Sequence, residues 1–458
     1  MSQHLDLAIQ YIRDHQQDFF NNLKEYVAFP SVSAEPGHYP DVHHAAEWVA
    51  GRLLDLGMHN VALYATSRHP VVFGEYLGAG KDAPVVLFYG HYDVEPPDPL
   101  DQWKSPPFKA RVRGEHVYGR GTADMKGQII LCLAALEAIT QTGPLPINLK
   151  FLIEGEEEIG SPSLNQFVPE HIDLLRCDLA LNLDGEMVST EIPTIIYGMR
   201  GISVCDVTVT GPAWDLHSGL FGGAVANPVQ VLCKLVAEMQ DETGRILLPG
   251  FYDRVRALSV EERSELNQTP LDGKYLLEQT GAPQLWGEAG YTPVEHIAAR
   301  PTLDLNGISG GYSGTGVKTI IPATASAKIS LRLVPDQDPS EVYQQLKQFF
   351  HEHAPDTVRV EVREVVNAAP VISDRGSAHV QALGDALQTV WGRRPLFIRL
   401  GGSVPVIPLF QKYLGVETVY TGFAIFSEGR AHSPDENLHL PTWYRGMEAL
   451  VHYFFNLS

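Results

Sequence analysis

PVVLFYG, residues 84–90, is a short run of apolar residues that ends at a glycine, and it predicts a strand buried on both faces. LKFLIEG (149–155) and DLALNLD (178–184) are two further runs of the same length and kind. Between the first two lies MKGQIILCLAALEAITQ (125–141), which is long enough for a helix and stops just before Gly143. Strands that alternate with helices predict an α/β fold, with a mixed, mostly parallel sheet flanked by helices.

The sequence pattern changes twice along the chain. Apolar residues at near-helical spacing from Leu5 to Val27 predict one amphipathic helix at the start. From about residue 201, polar and apolar residues alternate, as in a half-exposed strand, and the earlier pattern returns after residue 368. We therefore predict a discontinuous first domain, 1–200 and 369–458, and an inserted α+β domain, 201–368.

Composition limits the classes of function. The chain has 458 residues, of which 44% are hydrophobic, and a formal net charge of −21. So negative a chain is a poor match for nucleic acid or an anionic membrane, so neither is expected as a partner. The four cysteines form no CxxC pair, and no run of about 20 apolar residues is present. The first residues do not resemble a signal peptide, and we expect a cytoplasmic protein.

Histidines and carboxylates follow the predicted strands. Each has an ordinary explanation alone, such as a turn, a helix N-cap or a solvated acidic loop. Together they are more informative, because the carboxyl ends of the strands of one sheet deliver their side chains to the same edge. Nitrogen and oxygen ligands with a spare carboxylate suit a site for two divalent ions. The candidate ligands are His91, Asp124, Glu158, Asp184 and His432, and the spare carboxylate is Glu157.

Several motifs resemble one known family. The chain is similar to the dinuclear metallohydrolases that include carnosinases, cytosolic nonspecific dipeptidases, acetylornithine deacetylase, succinyl-diaminopimelate desuccinylase and glutamate carboxypeptidase. The motifs occur in family order over nearly the whole chain, and they resemble the dipeptidase branch most. They include GHYDVEPP (90–97), EGEEEIGS (154–161), DLHSGLFGG (215–223) and HSPDEN (432–437).

The resemblance implies a metallopeptidase that hydrolyses dipeptides or short peptides with a free C-terminal carboxylate. It implies two divalent metal ions, with zinc as the first expectation and manganese or cobalt also compatible. Asp124 would bridge the two ions. His91 and Asp184 would complete one of them, and Glu158 and His432 the other.

The family also implies roles around the ions. Glu157 would be the general base, and Asp93 would support His91 from behind. Glu156 is left as a non-ligand. The peptide bond between Asp124 and Met125 is expected to be cis.

In this family the inserted domain is a lid that also forms a homodimer. His217 resembles a histidine that crosses the dimer interface and stabilises the oxyanion in the neighbouring site. Arg332 resembles the arginine that binds the substrate carboxylate, while Thr319 and Ser403 match polar substrate-contact positions. Leu400 and Asp435 depart from the residues that close relatives tend to carry, so they bear on substrate identity.

Four alternatives remain open. Residues 307–311 satisfy G-x-S-x-G, so a serine hydrolase with Ser309 as nucleophile is one of them. Residues 311–319 nearly match a phosphate-binding loop, although Val317 separates the glycine from the lysine. A non-catalytic family scaffold is the third. The fourth is an N-acyl amino-acid deacylase with the same metal centre.

Overall fold

The computed structural model describes residues 2–269, 271–402 and 404–458. The chain divides into two compact units. The first contains residues 1–197, 373–398 and 405–458, and the second contains 198–372 and 399–404. The second unit thus includes a short segment, 399–404, that comes late in the sequence.

A large mixed sheet forms the centre of the first unit. Its four central strands run parallel, and the pairs outside them are antiparallel. The α/β class with a mixed sheet, predicted from the sequence, is therefore confirmed. In order across the sheet, with the parallel group third to sixth, the strands are His59–Tyr64, Val71–Tyr76, Asn148–Glu154, Val85–His91, Leu179–Asn182, Thr418–Tyr420 and Thr194–Met199.

Smaller strands complete this unit, and Leu396–Leu400 also pairs with Thr194–Met199. The smaller strands are Arg111–Arg113, His116–Tyr118, Glu186–Met187, Ala424–Ile425 and Asn437–His439. The α-helices are Ser2–Asp14, Gln16–Val27, Tyr39–Asp55, Lys126–Thr142, Leu164–Glu170, Ile172–Leu175, Ala378–Trp391, Val406–Leu409 and Leu440–Asn456. Short 3₁₀ turns occur at Pro36–His38, Leu100–Gln102 and Glu157–Ile159, and a π-helical turn at Phe410–Leu414.

The helix Lys126–Thr142 lies at the core of the first unit. It is apolar on nearly all sides and almost completely buried, as expected for a helix without a solvent face. The helices Ser2–Asp14 and Leu440–Asn456 pack against it. This packing fixes the start of the helix, and with it the loop that carries Asp124.

The single N-terminal helix predicted from the sequence is wrong, because the chain forms two helices that meet at His15. The His15 backbone leaves the helical region, with φ −113° and ψ 17°. Its ring stacks on Tyr11 with centroids 3.8 Å apart, and Nδ1 lies 2.9 Å from the Tyr11 carbonyl oxygen. Periodicity alone misses this break, because both helices bury apolar residues in the same core.

The second unit contains a four-stranded antiparallel sheet. In order its strands are Thr302–Gly310, Thr324–Leu333, Gly201–Thr210 and Arg359–Ala368. Burial alternates along Gly201–Thr210, and the helices Pro228–Ala237 and Pro339–His353 cover the buried face. The remaining elements are Leu216–His217, Ser218–Phe221, Val260–Leu266, Gly273–Thr280, Pro293–Ala298, Ile320–Ile321 and Val371–Ile372.

Two of the alternative motifs lie in unsuitable backbone. Ser309 is an exposed residue within the strand Thr302–Gly310, paired with Ser326, and it is not at a strand-to-helix turn. Residues 311–319 lead into the short strand Ile320–Ile321, whereas a phosphate-binding loop leads into a helix. Neither a nucleophile elbow nor a P-loop is formed. In the described parts of the chain, no helix is both long and apolar enough to cross a membrane.

Candidate active site

The site begins at the carboxyl ends of three neighbouring strands. Val85–His91 runs parallel to Asn148–Glu154, with His91 opposite Glu154, and parallel to Leu179–Asn182 on its other side. The residues just beyond these ends carry the predicted side chains, at 91–93, 157–158 and 184. The sheet therefore brings three separated segments to one edge, as predicted from the sequence.

Asp124 lies between two histidines. Its Oδ1 is 3.0 Å from Nε2 of His91, and its Oδ2 is 2.9 Å from Nε2 of His432. Its peptide bond to Met125 is cis, as predicted. His432 has φ 60°, in the left-handed region that side chains other than glycine seldom adopt. Such a conformation at a polar loop residue is a common feature of functional sites.

Two groups of potential ligand atoms surround this aspartate. In the first, His91 is 3.7 Å from Oδ2 of Asp184. In the second, Nε2 of His432 is 3.1 Å from Oε2 of Glu158, and Nδ1 is 3.9 Å from Oε1 of Glu95. Within each group the ligand atoms lie within 4.8 Å of one another. The structure thus brings all five predicted ligands together and adds Glu95, which sequence reasoning missed.

Asp93 connects two of these segments. Its carboxylate is buried, with Oδ1 3.4 Å from Nδ1 of His91. The same carboxylate accepts hydrogen bonds from the backbone N–H groups of Glu157 (3.3 Å) and Glu158 (3.2 Å). It therefore fixes both a histidine ring and the turn that carries two glutamates.

The carboxylates of the cluster are crowded and poorly solvated. Burial raises the pKa of Glu158 to about 8, and Asp124 adds to the rise. Burial, again reinforced by Asp124, raises the pKa of Asp184 to about 7. Burial also holds the pKa of Glu157 well above its usual range, against an opposing effect of His91. Negative groups that resist ionisation together form a site that favours a cation.

The histidines and Asp124 respond in the opposite sense. Hydrogen bonds to Asp124 and Glu158 raise the pKa of His432 to about 11. Burial lowers the pKa of His91, but its bonds to Asp124 and Asp184 outweigh that effect and raise it well above the usual value. Burial alone would raise the pKa of Asp124, yet its bonds to the two histidines lower it strongly. The carboxylates around each histidine thus stabilise its protonated form.

Glu156 stands apart from its two neighbours. It is buried and accepts hydrogen bonds from the backbone N–H of His69 (2.9 Å) and from the hydroxyls of Thr66 and Ser163. Its side chain thus holds neighbouring loops together rather than facing the cluster. This agrees with the expectation from the family motif that Glu156 is not a ligand.

Three predicted substrate-contact residues lie in the second unit. His217 is exposed and its Nδ1 accepts a hydrogen bond from the Gly219 N–H (3.0 Å), so it caps the short helix Ser218–Phe221. Thr319 is next to it, because the Ser218 N–H donates to the Thr319 carbonyl at 3.0 Å. Arg332 lies half-buried on the strand Thr324–Leu333. Ser403 is outside the described residues.

The two departures from the family pattern differ in what the structure says of them. Asp435 accepts hydrogen bonds from the Lys104 N–H (3.1 Å) and pairs with Nη2 of Arg113 (3.0 Å), and its side chain is 5% exposed. It therefore fixes the loop behind His432. The Leu400 carbonyl accepts a hydrogen bond from the Arg200 N–H (3.2 Å) at the end of the strand Leu396–Leu400.

Histidines and carboxylates gathered at the carboxyl edge of a mixed α/β sheet place the chain in the class of metal-dependent hydrolases. Comparison with known proteins agrees with this class. The model of peptidase family M20/M25/M40 matches residues 87–456, so the chain belongs to that family.

The proteins that this chain resembles include two dipeptidases and a carboxypeptidase. The Cys-Gly metallodipeptidase DUG1 of Candida albicans is 32% identical over 468 residues, which cover 97% of this chain and 96% of the relative. The crystal structure of human carnosine dipeptidase 1 is 30% identical in sequence, with a TM-score of 0.77. The match covers 99% of this chain and 98% of that structure. The structure of the M20 family metallo-carboxypeptidase Sso-CP2 of Sulfolobus solfataricus is also 30% identical in sequence, with a TM-score of 0.82. That match covers 96% of this chain and 98% of the carboxypeptidase.

Proposed function

We propose that this protein is a metal-dependent dipeptidase that cleaves the amide bond of dipeptides or short peptides with a free C-terminal carboxylate. The observation that carries the proposal is the position of Asp124, with one carboxylate oxygen about 3 Å from each of two histidines. The chain's membership of a peptidase family and its similarity to two dipeptidases support the same reaction.

The residues fit two divalent cations. Asp124 would contribute to both, His91 and Asp184 to one, and Glu158 and His432 to the other. These donors are imidazole nitrogens and carboxylate oxygens, a set that suits zinc and is also compatible with manganese or cobalt. Burial raises the pKa of Asp184 to about 7 and that of Glu158 to about 8. A cation between these carboxyls would stabilise their ionised forms, and this supports the proposal that the site binds one.

When bound, two such ions lower the pKa of a water molecule toward neutrality and polarise a peptide carbonyl. Glu157 takes a proton from the attacking water and delivers it to the leaving amine. Burial raises the pKa of Glu157, and a carboxylate with a raised pKa accepts a proton more readily. Asp93 holds the ring of His91 and the turn that carries Glu157.

The second unit would supply the substrate contacts. Arg332 would bind the C-terminal carboxylate, with Thr319 and Ser403 as polar contacts. His217 would stabilise the oxyanion in the site of a neighbouring subunit. A homodimer is supported by the edge strand Thr302–Gly310, whose apolar side chains Leu305 and Ile308 are 41% and 50% exposed.

A substrate panel tests the function. Dipeptides, a longer peptide and N-acetyl and N-succinyl amino acids are each offered to protein loaded with zinc or manganese, with a chelated control. Chelator-sensitive release of amino acids from dipeptides supports the proposal. Cleavage of the acylated amino acids alone would favour the deacylase alternative. Preferential trimming of the longer peptide would favour a carboxypeptidase, and activity that survives exhaustive chelation would overturn the metal-dependent mechanism.

A further inference from the structure

Glu436 is a buried carboxylate that the proposed chemistry does not use. It follows His432 by four residues, and its side chain is fully buried. Its Oε2 accepts hydrogen bonds from Nη1 of Arg120 (2.7 Å) and the N–H of Gly121 (3.0 Å). Its Oε1 accepts from the N–H groups of Ala123 (2.8 Å) and Asp124 (3.1 Å). All four donors thus belong to the loop that carries Asp124.

The backbone reinforces this connection. The Glu436 carbonyl accepts a hydrogen bond from the Gly119 N–H at 3.0 Å. The next residues form the strand Asn437–His439, which pairs antiparallel with His116–Tyr118. The segment of His432 and the segment of Asp124 are therefore joined at Glu436 and along the strand that follows it. These two segments are more than 300 positions apart in sequence.

We propose that Glu436 is a positioning residue that sets the separation of Asp124 and His432, and thereby the affinity of the site for its metal ions. The inference rests on the ligand assignments of the proposed function. Since Asp124 also faces His91, a shift of its loop changes both halves of the site together. The affinities for both ions should accordingly fall in parallel when the hydrogen bonds of Glu436 to this loop are lost.

Only an ionised carboxylate satisfies all four donors. Each oxygen accepts two hydrogen bonds, so replacing either oxygen with an amide NH₂ sets a donor against two other donors. Arg120 depends on the same group, although it also donates to the Pro96 carbonyl at 3.0 Å. Glu436→Gln keeps the size of the side chain and removes only this match.

The experiment compares E436Q with wild type and with a matched control, E417Q. Glu417 accepts hydrogen bonds from the Asp374 N–H (3.1 Å) and the Ser377 hydroxyl (2.6 Å), and this segment carries none of the proposed ligands. Zinc affinity is measured by chelator competition, without any peptide. We expect E436Q to lose about 10–100-fold in affinity for both ions, the range found when groups that support metal ligands are removed. E417Q should bind both ions like wild type.

A second readout uses the metal-free protein. Hydrogen exchange at the amides of Gly121, Ala123 and Asp124 should become at least about tenfold faster in E436Q, because these N–H groups lose their acceptor. Exchange at these amides should not change in E417Q. A purely structural role for Glu436 predicts lower thermal stability alone, with wild-type metal affinity once the protein is folded.

Each result has a defined meaning. Wild-type zinc affinity in E436Q, or unchanged amide exchange, would overturn the inference even if dipeptides are hydrolysed. Weaker zinc binding in E436Q by an enzyme that ignores dipeptides would support it while overturning the proposed substrate. Should E436Q fail to fold, the variant Arg120→Lys provides the test instead. It keeps the charge but loses the guanidinium geometry, and wild-type zinc affinity in R120K would overturn the inference.

Discussion

Oδ2 of Asp124 lies 2.9 Å from Nε2 of His432, a residue 308 positions further along the chain. The other oxygen of the same carboxylate faces His91 at 3.0 Å. One short side chain therefore joins the first strand-end motif of the chain to its last. The order of the motifs in sequence hides this proximity, because the final motif reaches the sheet edge only after the chain has passed through the whole second unit.

The first prediction concerns Glu157. We expect Glu157→Gln to lower kcat by about 10²–10⁴-fold, because the amide cannot accept the proton of the attacking water. KM and metal content should stay close to wild type, since Glu157 is not among the proposed ligands. Steady-state kinetics on the best dipeptide, together with metal analysis of the purified variant, check this. An E157Q enzyme within threefold of wild type would remove Glu157 from the mechanism.

The second prediction concerns Glu95, which lies within the motif GHYDVEPP but was not among the predicted ligands. Its Oε1 lies 3.9 Å from Nδ1 of His432, on the side of the ring opposite Asp124. His91 has Asp93 in the corresponding place, at 3.4 Å. We therefore expect Glu95→Gln to weaken the binding of one ion by about tenfold, as for other carboxylates behind a histidine ligand.

Calorimetric titration with zinc distinguishes the two ions in this test. The control is Glu115→Gln, because Glu115 faces His439, a histidine outside the cluster, at 3.7 Å. The E115Q variant should bind both ions normally. Loss of one ion altogether in E95Q would mean that Glu95 is itself a ligand, and an equal loss at both ions would contradict the assignment to His432.

Sequence reasoning identified the strands and the candidate ligands for the same physical reason. Short apolar runs such as 84–90 predict buried strands, and the polar residues that follow them are then expected at strand ends. The family motifs supplied the roles of Glu157 and His217, which spacing alone would not have separated from a solvated loop and a turn. These assignments remain predictions until the variants are measured.

What the sequence could not supply is the set of partners made by folding. In the sequence, Glu436 is one more acidic residue in a predicted loop. Its proposed role depends on four hydrogen-bond donors that lie more than 300 positions away. Glu154 likewise closes an apolar run, and nothing local indicates that its carboxyl is enclosed. The break at His15 escaped for a related reason, since it depends on a ring stacked on Tyr11.

The third prediction is a pH effect from Glu154. Burial raises the pKa of Glu154 to about 8, and Asp93 adds to the rise, although hydrogen bonds from Ser161 and Tyr89 oppose it. The ordinary value is 4.5, so between about pH 4.5 and 8 the unfolded chain releases a proton that the folded protein keeps. Stability is therefore greatest below this interval and falls as pH rises through it, by up to about 1.4 kcal/mol per pH unit.

Glu154→Gln isolates this effect, because glutamine resembles the neutral carboxyl and does not titrate. Urea unfolding of wild type and E154Q is followed from pH 5 to 9. The difference in unfolding free energy should move in favour of E154Q as pH rises, and it should level off above about pH 8. Parallel curves for the two proteins would show that Glu154 ionises normally in the folded state.

The last prediction concerns His217 and the homodimer. His217→Ala should lower kcat while leaving metal content unchanged, because the exposed imidazole belongs to a different unit of the chain from the metal cluster.

A heterodimer of H217A with E157Q, purified through a different tag on each subunit, tests whether His217 acts across the dimer interface. If His217 acts across the interface, one site of this heterodimer has an intact Glu157 and the partner's intact histidine. The heterodimer should then recover about half of wild-type activity, since one of two symmetric sites is complete. If His217 acts within its own subunit, every site lacks one group and the heterodimer stays as inactive as the two parent variants. Failure to isolate any doubly tagged species would contradict the homodimer itself.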